Sequence, residues 1–157
     1  MAGYRSDHVC PATSRRTCLN SPDSFCYICG SFTIPSQREN IITFVKPAYL
    51  AFFKIKLGDQ GKAWAPHKVC KQCFESLRMW TKGTSYKLPF GIPTVWREQK
   101  YHSTESYFCL VKTSGYMKKN KWKIGYPSLP SAIRPVPHLW PHSAESRHQF
   151  RSTIHCL

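Results

Sequence analysis

The chain has 157 residues, which is room for one small domain with tails and too little for several domains. Lysine and arginine outnumber aspartate and glutamate by 23 to 8, and the formal net charge of +15 favours polyanionic partners such as nucleic acid or acidic protein segments. With 9 phenylalanines, 8 tyrosines and 5 tryptophans, the composition excludes a chain that is disordered throughout.

Residues 1–23 are polar and show neither helical nor strand periodicity, so they are predicted to form a flexible arm. The amino end has no apolar stretch of signal-peptide length, and the run Ala48 to Phe53 is far too short to cross a bilayer. We therefore expect an intracellular protein without a membrane segment. In a reducing compartment the eight cysteines are not expected to form disulfides. No metal role is expected for the scattered ones, Cys10, Cys18 and Cys156.

The segment FCYICGSF, from Phe25 to Phe32, is predicted to form a short aromatic turn of the zinc-knuckle type. It contains Cys26 and Cys29, and the two-residue spacing lets one turn supply two thiolates to a metal. Gly30 follows the second cysteine, where a backbone that wraps around a metal commonly needs a positive φ.

Between Ser36 and Lys56, apolar residues recur at helical spacing, and Ser36 with Glu39 forms a predicted capping box. Pro47 lies inside this pattern. Because proline lacks an amide and clashes with the preceding turn, it must either kink the helix or begin a second one. The apolar stripe is expected to be a buried core face and not a ligand or membrane surface. It consists of Ile41, Phe44, Val45, Ala48, Phe52 and Ile55.

A further helix is predicted from Val69 to Lys82, with Gly83 as its terminator. Its first turn contains Cys70 and Cys73. The partial positive charge at the amino terminus of a helix helps to keep thiols deprotonated there. The second cysteine pair is therefore predicted to supply two more metal ligands.

Beyond residue 88, seven prolines exclude long helices and predict short extended pieces, such as Ser106–Lys112, among loops. The densest basic and aromatic stretch lies in this half, with Tyr116 and Tyr126 interleaved. Its candidate nucleic-acid contacts are Lys112, Lys118, Lys119, Lys121, Trp122 and Lys123. Two interpretations stay open: lysines on phosphates with Trp122 and Tyr126 stacked on bases, or a solvated lysine loop whose aromatic rings pack inward.

One structural zinc ion is predicted, with Cys26, Cys29, Cys70 and Cys73 as its four ligands. A redox-active pair and disulfides are the alternatives. A closed four-thiolate site leaves no position for water, so such a zinc ion is structural and not catalytic. The predicted fold class is a small α+β, zinc-stabilised, treble-clef-like domain over residues 24–138, with a loop-rich carboxyl-terminal half. Residues 139–157 are predicted to be a flexible tail.

Other candidate ligands are single residues. His67 lies three residues before the second pair, but four cysteines already complete the site, so it is expected to cap or pack. His102, Cys109 and His138 are widely spaced, and each alone is expected to be a buried thiol or a surface histidine. The acidic residues are spread out, no phosphate-binding loop or nucleophile elbow is present, and no local signature supports Cys109 as a nucleophile. We predict that the protein is not an enzyme and has no small-molecule substrate.

Several long motifs resemble the amino-terminal zinc-binding region of an uncharacterised animal protein family that is associated with transposable elements. The resemblance covers about residues 18 to 142 and rests on CLNSPDSFCYICGSFT, FVKPAYLAFFKIKLGDQGKAWAPHKVCKQC, LPFGIPTVWRE, YFCLV and YPSLPSAIRPVPH. The stretch PHKVCKQCFESL also resembles the second half of the zinc-finger-associated domain of insect transcription factors. In that domain two Cys-x-x-Cys pairs bind one zinc ion and support dimerisation.

The first resemblance implies a second zinc site that would use positions 102, 103, 106 and 109, with His138 as a companion. This chain has serines at 103 and 106, so only His102, Cys109 and His138 remain. The second site is therefore expected to be vacant, weakened, or completed by His67 or a water molecule.

Members of this family continue past the PVPH motif into a larger transposase-like region, whereas this chain ends in a tail of unrelated composition. The leading hypothesis is a non-enzymatic, nuclear, zinc-stabilised module of mobile-element origin. It would bind nucleic acid, with little sequence readout, or chromatin-associated partners. The alternatives are a homodimerising protein-interaction module and a truncated copy without selected function.

Overall fold

A computed structural model describes residues 20–84, 88–100 and 106–137. Its helices are α1 Val45–Phe53, α2 Lys71–Thr81 and α3 Tyr107–Leu110, and its 3-10 turns are Pro22–Ser24, Pro35–Gln37 and Lys121–Lys123. Its strands are β1 Arg38–Asn40, β2 Lys68–Cys70, β3 Phe90–Ile92, β4 Val95–Trp96, β5 Ala132–Ile133 and β6 Val136–Pro137. None of the helices in these ranges has the length and apolar character needed to cross a bilayer.

The strands form three separate antiparallel pairs, β1 with β2, β3 with β6, and β4 with β5. In the first pair Arg38 lies opposite Cys70, so the strand that ends at a predicted ligand is held in register by backbone pairing. The other two pairs bring residues 132–137 back beside residues 90–96. The predicted class of a small mixed helix-and-sheet domain is confirmed at this level.

The predicted helix from Ser36 to Lys56 is wrong in its first half. A 3-10 turn and β1 occupy residues 35–40, and α1 begins only at Val45. No capping box forms, because Glu39 pairs with Val69 in the sheet, and backbone pairing to β2 outweighs the helical periodicity. Pro47 lies in the first turn of α1, where an amide would have no intrahelical partner.

The predicted core stripe is confirmed for Val45, Ala48 and Phe52, which are completely buried. It is wrong for Ile55, which lies beyond the end of α1 and is 47% exposed. The buried face of α1 packs on α2, with the rings of Phe52 and Trp80 in edge contact at 5.2 Å. This helix pair forms an apolar layer that lies against the cysteine-bearing segments.

The helix predicted from Val69 to Lys82 is confirmed as α2, with ends one or two residues inside the predicted ones. Gly83 ends it with φ 81°, and the Gly83 amide donates to the Trp80 carbonyl at 3.0 Å. Glycine reaches this left-handed conformation without steric cost, which is why it terminates helices.

The extended piece predicted at Ser106–Lys112 is wrong, because Tyr107–Leu110 forms the short helix α3. Tyr107 and Phe108 are neighbours in sequence and both are buried. A strand would turn them to opposite faces, whereas a helical turn lets both rings enter one aromatic cluster. In that cluster both rings contact Phe25 and Trp96, with centroids 5.3–5.5 Å apart.

The last residues of the predicted amino-terminal arm contact the domain. The Asn20 side-chain amide donates to the carbonyls of Phe108 and Val111, both at 2.8 Å. Pro22–Ser24 then forms a 3-10 turn that leads into the segment containing Cys26 and Cys29. Residues 1–19 and the predicted tail, 139–157, lie outside the described residues.

Candidate metal centre

The four predicted ligands converge in one place. The Sγ atoms of Cys26, Cys29, Cys70 and Cys73 all lie within 4.8 Å of one another. Those of Cys29 and Cys70 are 3.9 Å apart. Four thiolates at the usual zinc–sulfur distance form a tetrahedron with edges of about 3.8 Å. The four cysteines therefore lie close enough to bind one metal ion.

The first pair is held by a tight aromatic turn, the knuckle, defined here as residues 26–32. The Cys26 amide donates to the Ser31 carbonyl at 3.0 Å, and the Gly30 amide donates to the Cys26 carbonyl at 2.9 Å. Gly30 has φ 70°, as predicted from its position after the second cysteine. This backbone curl turns both thiols of the pair toward the same point.

The second pair lies at the junction of β2 and α2. Cys70 is the last residue of β2 and the N-cap of α2, and its Sγ accepts a hydrogen bond from the Cys73 amide at 3.4 Å. In the knuckle the Cys29 amide donates to the Cys26 Sγ in the same way, at 3.5 Å. Each pair thus directs a backbone N–H at one of its own sulfur atoms, an arrangement that stabilises thiolate charge.

Burial and mutual hydrogen bonding together shift the pKa values of different cysteines in opposite directions. Burial raises the pKa of the Cys26 thiol well above its ordinary value. The hydrogen bond from Cys26, followed by that from Cys70, holds the pKa of Cys29 well below it. Four sulfur atoms in so small a buried space cannot all carry negative charge at neutral pH unless a cation balances them.

The chemistry of this donor set fits zinc. Zinc prefers tetrahedral sulfur ligands, and this set is soft, nearly enclosed and complete in number. All four cysteines are free of disulfide bonds. A zinc ion held here would cross-link the knuckle to the β2–α2 junction, 41 residues away in sequence between Cys29 and Cys70.

The carboxyl-terminal half of the domain is joined to this centre through backbone carbonyls. Four consecutive carbonyls of the knuckle, residues 27–30, each accept a hydrogen bond from residues 94–134. The donors, in that order, are the Trp96 indole at 2.8 Å, the Thr94 amide at 2.8 Å, the Arg134 guanidinium at 3.2 Å and the Tyr107 hydroxyl at 2.5 Å. Buried carbonyls are costly to leave without partners, so the carboxyl-terminal half completes the hydrogen bonding of the loop that carries Cys26 and Cys29.

Arg134 is the centre of this connection. Its Nη1 donates to the Cys29 carbonyl and, at 3.0 Å, to the Tyr107 hydroxyl. Its guanidinium lies over the Tyr126 ring at 4.8 Å from the centroid. The Tyr126 hydroxyl in turn accepts from the Phe32 amide at 2.8 Å. Arg134 and Tyr107 were not among the predicted site residues, because their partners in the knuckle lie 105 and 77 positions away and leave no local pattern.

The remaining candidate ligands do not join the cluster. His67 lies outside it, as expected, and uses its backbone amide (2.8 Å) and its Nδ1 (3.3 Å) to contact Asp23. Cys109 is half-buried on α3. His102 and His138 lie outside the described residues, so the second zinc site stays a prediction.

Each of the two interpretations of the basic and aromatic stretch fits some of its residues. We call residues 112–126 the basic loop. Trp122 is 77% exposed, as the base-stacking interpretation requires. Tyr126 instead stacks on Tyr107 inside the protein, with centroids 6.1 Å apart and rings 12° from parallel, and Tyr116 packs against the core.

Comparisons of the chain with models of known protein families, with curated proteins and with solved structures give no match. The relationships to a transposable-element family and to the zinc-finger-associated domain therefore stay predictions from the motifs. The functional inferences below depend on the geometry of the metal centre and of the basic loop.

Proposed function

We propose that this protein is a non-enzymatic, zinc-stabilised module that binds nucleic acid. The zinc ion, coordinated by the four cysteines, would serve as a scaffold. Lysine side chains of the basic loop would contact phosphate groups, with little readout of base sequence. A mobile-element origin, a nuclear location and contact with chromatin-associated partners belong to the same proposal, and the motifs described above support them.

A treble-clef-like arrangement is part of the proposal. The knuckle precedes the β1–β2 pair, and the second cysteine pair opens α2 immediately after β2. Helix α1 lies between the two strands in sequence and packs on α2. This order of knuckle, paired strands and ligand-bearing helix supports such a centre.

The observation that carries the proposal is the charge of the basic loop and its surroundings. Residues 106–137 contain no aspartate or glutamate. Of their six cationic side chains, those of Lys112, Lys118, Lys119 and Lys123 are exposed. In the described chain no carboxylate forms an ion pair with these four lysines. Uncompensated lysines of this density attract a polyanion by counterion release.

The test is binding of labelled duplex and single-stranded DNA over a series of salt concentrations. The double substitution Lys118→Gln with Lys119→Gln should weaken binding and reduce the slope of log affinity against log salt by about 1.5–2. The matched control, Lys56→Gln with Lys62→Gln, removes the same charge from exposed positions after α1 and should leave the slope nearly unchanged. Absence of binding at low salt, or an affinity indifferent to salt, would reject the proposal.

A second candidate function, homodimerisation, is favoured by apolar side chains around α1. Ile42, Leu50 and Ile55 are each 47% exposed, and Met79 on α2 is 36% exposed. Apolar groups of this size are common in protein–protein contacts. Sedimentation over a range of concentrations tests this candidate: a mass that rises toward that of a dimer and falls after Leu50→Lys favours it, and a strictly monomeric protein excludes it.

A further inference from the structure

Trp122 is the exception among the tryptophans of the described chain. Trp80 and Trp96 are buried in the core, and Trp64 packs against it, whereas Trp122 is 77% exposed. Tryptophan has the largest apolar surface of any side chain and gains much from losing contact with water. A ring left this exposed on a structured segment is available to an outside partner.

The exposed ring is held by a well-anchored turn. Lys121–Lys123 forms a 3-10 turn, and Ile124 directly after it is buried. Lys121 Nζ donates to the Gln37 side chain at 3.2 Å, and the Asn120 side chain accepts from the Met117 amide at 2.6 Å. The backbone that carries the ring is therefore anchored, which lowers the entropy lost on binding.

The charges around the ring favour an anionic partner. Lys123 lies with its Nζ 5.4 Å from the centroid of the Trp122 ring. Lys118 and Lys119 precede the ring by a few residues and are both exposed. An exposed ring beside Lys123 and close in sequence to other exposed lysines fits a ligand that offers flat rings and phosphate groups together.

We infer that the basic loop binds single-stranded nucleic acid, with Trp122 stacked on an unpaired base while the neighbouring lysines contact phosphates. The inference rests on the proposed function and makes it narrower. A duplex keeps its bases stacked within the helix, so it can use the lysines but not the ring. A single strand exposes its bases and can use both.

The experiment measures affinity at fixed salt for oligo(dT), oligo(rU) and a mixed-sequence duplex, each of about 15 units, within the site sizes of single-strand binders. Trp122→Ala should weaken binding to the single strands by about 5- to 150-fold, the loss typical of one stacked base. Its effect on the duplex should be less than about twofold, because only phosphate contacts remain there. Trp122→Phe should retain most of the single-strand affinity, since its ring still stacks.

Fluorescence gives an independent readout. The emission difference between the wild type and Trp122→Phe isolates Trp122 from the other tryptophans, and single strands should quench it. Met117→Ala, which removes a 66% exposed apolar side chain from the same loop, is the control and should change nothing. The stronger of the DNA and RNA arms shows which of the two strands the loop prefers, and a Trp122-dependent affinity for either supports the inference.

Failure of the inference and failure of the proposed function give different results. If all three ligands bind with salt dependence but Trp122→Ala changes none of them, or weakens duplex and single strand equally, the inference is overturned and the proposed function stands. If none of the ligands binds at low salt, both are overturned.

Discussion

The half of the domain that carries the four clustered cysteines, residues 25–84, and the carboxyl-terminal half, residues 88–137, are built in different ways. In the first, local rules place the cysteines: a tight knuckle, a strand and the first turn of a helix. In the second, the elements are two to four residues long and are held by side chains that donate to the backbone of the knuckle. The cysteine cluster and its knuckle are therefore a shared support for both halves.

The largest expected effect follows from removing one ligand. Cys26→Ser should abolish zinc binding and unfold both halves, because structural zinc contributes about 10–16 kcal/mol in small zinc domains, against a total stability of about 5–15 kcal/mol. Circular dichroism should report the loss, and the indole N–H resonances of Trp80 and Trp96, one in each half, should move together to unfolded positions in NMR spectra. A cleft of about 290 Å³ opens beside Cys29, Cys70 and Cys73, so a chelator should reach the ion and give the same result.

The control is Cys109→Ser, which changes a half-buried cysteine outside the cluster. It should keep the metal and the fold. If the carboxyl-terminal half stayed folded after Cys26→Ser, the two halves would be independent and the idea of a shared support would be wrong.

Alanine substitutions at three glycines separate the cost of backbone strain from the cost of crowding at the contact between the halves. A Cβ at Gly30 would lie 2.9 Å from Arg134 Nη1 and 3.0 Å from Thr94 Oγ1, at a φ of 70°. Gly30→Ala should therefore destabilise the protein by about 2–5 kcal/mol in urea unfolding, from strain and overpacking combined.

The two matched variants give the separate contributions. Gly115 has φ 79° but no neighbour within 4 Å of a Cβ, so Gly115→Ala should cost only the strain, about 1–2 kcal/mol. Gly125 has neither feature, and Gly125→Ala should be close to neutral. Equal losses for Gly30→Ala and Gly115→Ala would show that the close approach of Arg134 contributes nothing.

The Tyr107 hydroxyl is expected to contribute a smaller part of the stability that comes from the contact between the halves. Tyr107→Phe leaves the Gly30 carbonyl and one Arg134 donor without their partner, and should cost about 1–3 kcal/mol. Tyr116→Phe is the control, because the Tyr116 hydroxyl makes no hydrogen bond within the described ranges, and it should change stability very little. Indistinguishable urea midpoints for the two variants would count against this hydrogen bond as a link between the halves.

The smallest predicted effect on stability is absent at neutral pH and appears only in alkaline solution. Burial raises the pKa values of four tyrosine side chains above the usual value for tyrosine. They are Tyr27, Tyr49, Tyr107 and Tyr126. The unfolded chain loses these protons near pH 10, while the folded protein keeps them, so their contribution to stability is complete below pH 10 and is lost as pH rises further. The phenolate absorbance of these four tyrosines, out of eight in the chain, should rise late and together with unfolding. Ionisation of all eight tyrosines near pH 10 while the protein stays folded would contradict this burial.

The sequence predicted the metal centre well because its signals are local. Cysteine spacing, the glycine after Cys29 and the helical period of α2 each depend on residues within a few positions. The predicted first helix was too long at its amino end, because strand pairing between Glu39 and Val69, 30 positions apart, outweighs the helical periodicity. The connection through Arg134 and Tyr107 could not be predicted, since it depends on partners up to 105 residues apart in sequence.

The most direct test is the zinc content of the folded protein, purified without added metal and weighed by native mass spectrometry. We expect one zinc ion per chain, lost together with the fold when acid protonates the thiolates or a chelator removes the metal. A folded protein that contains no zinc, with all four cysteines of the cluster open to alkylation, would contradict it.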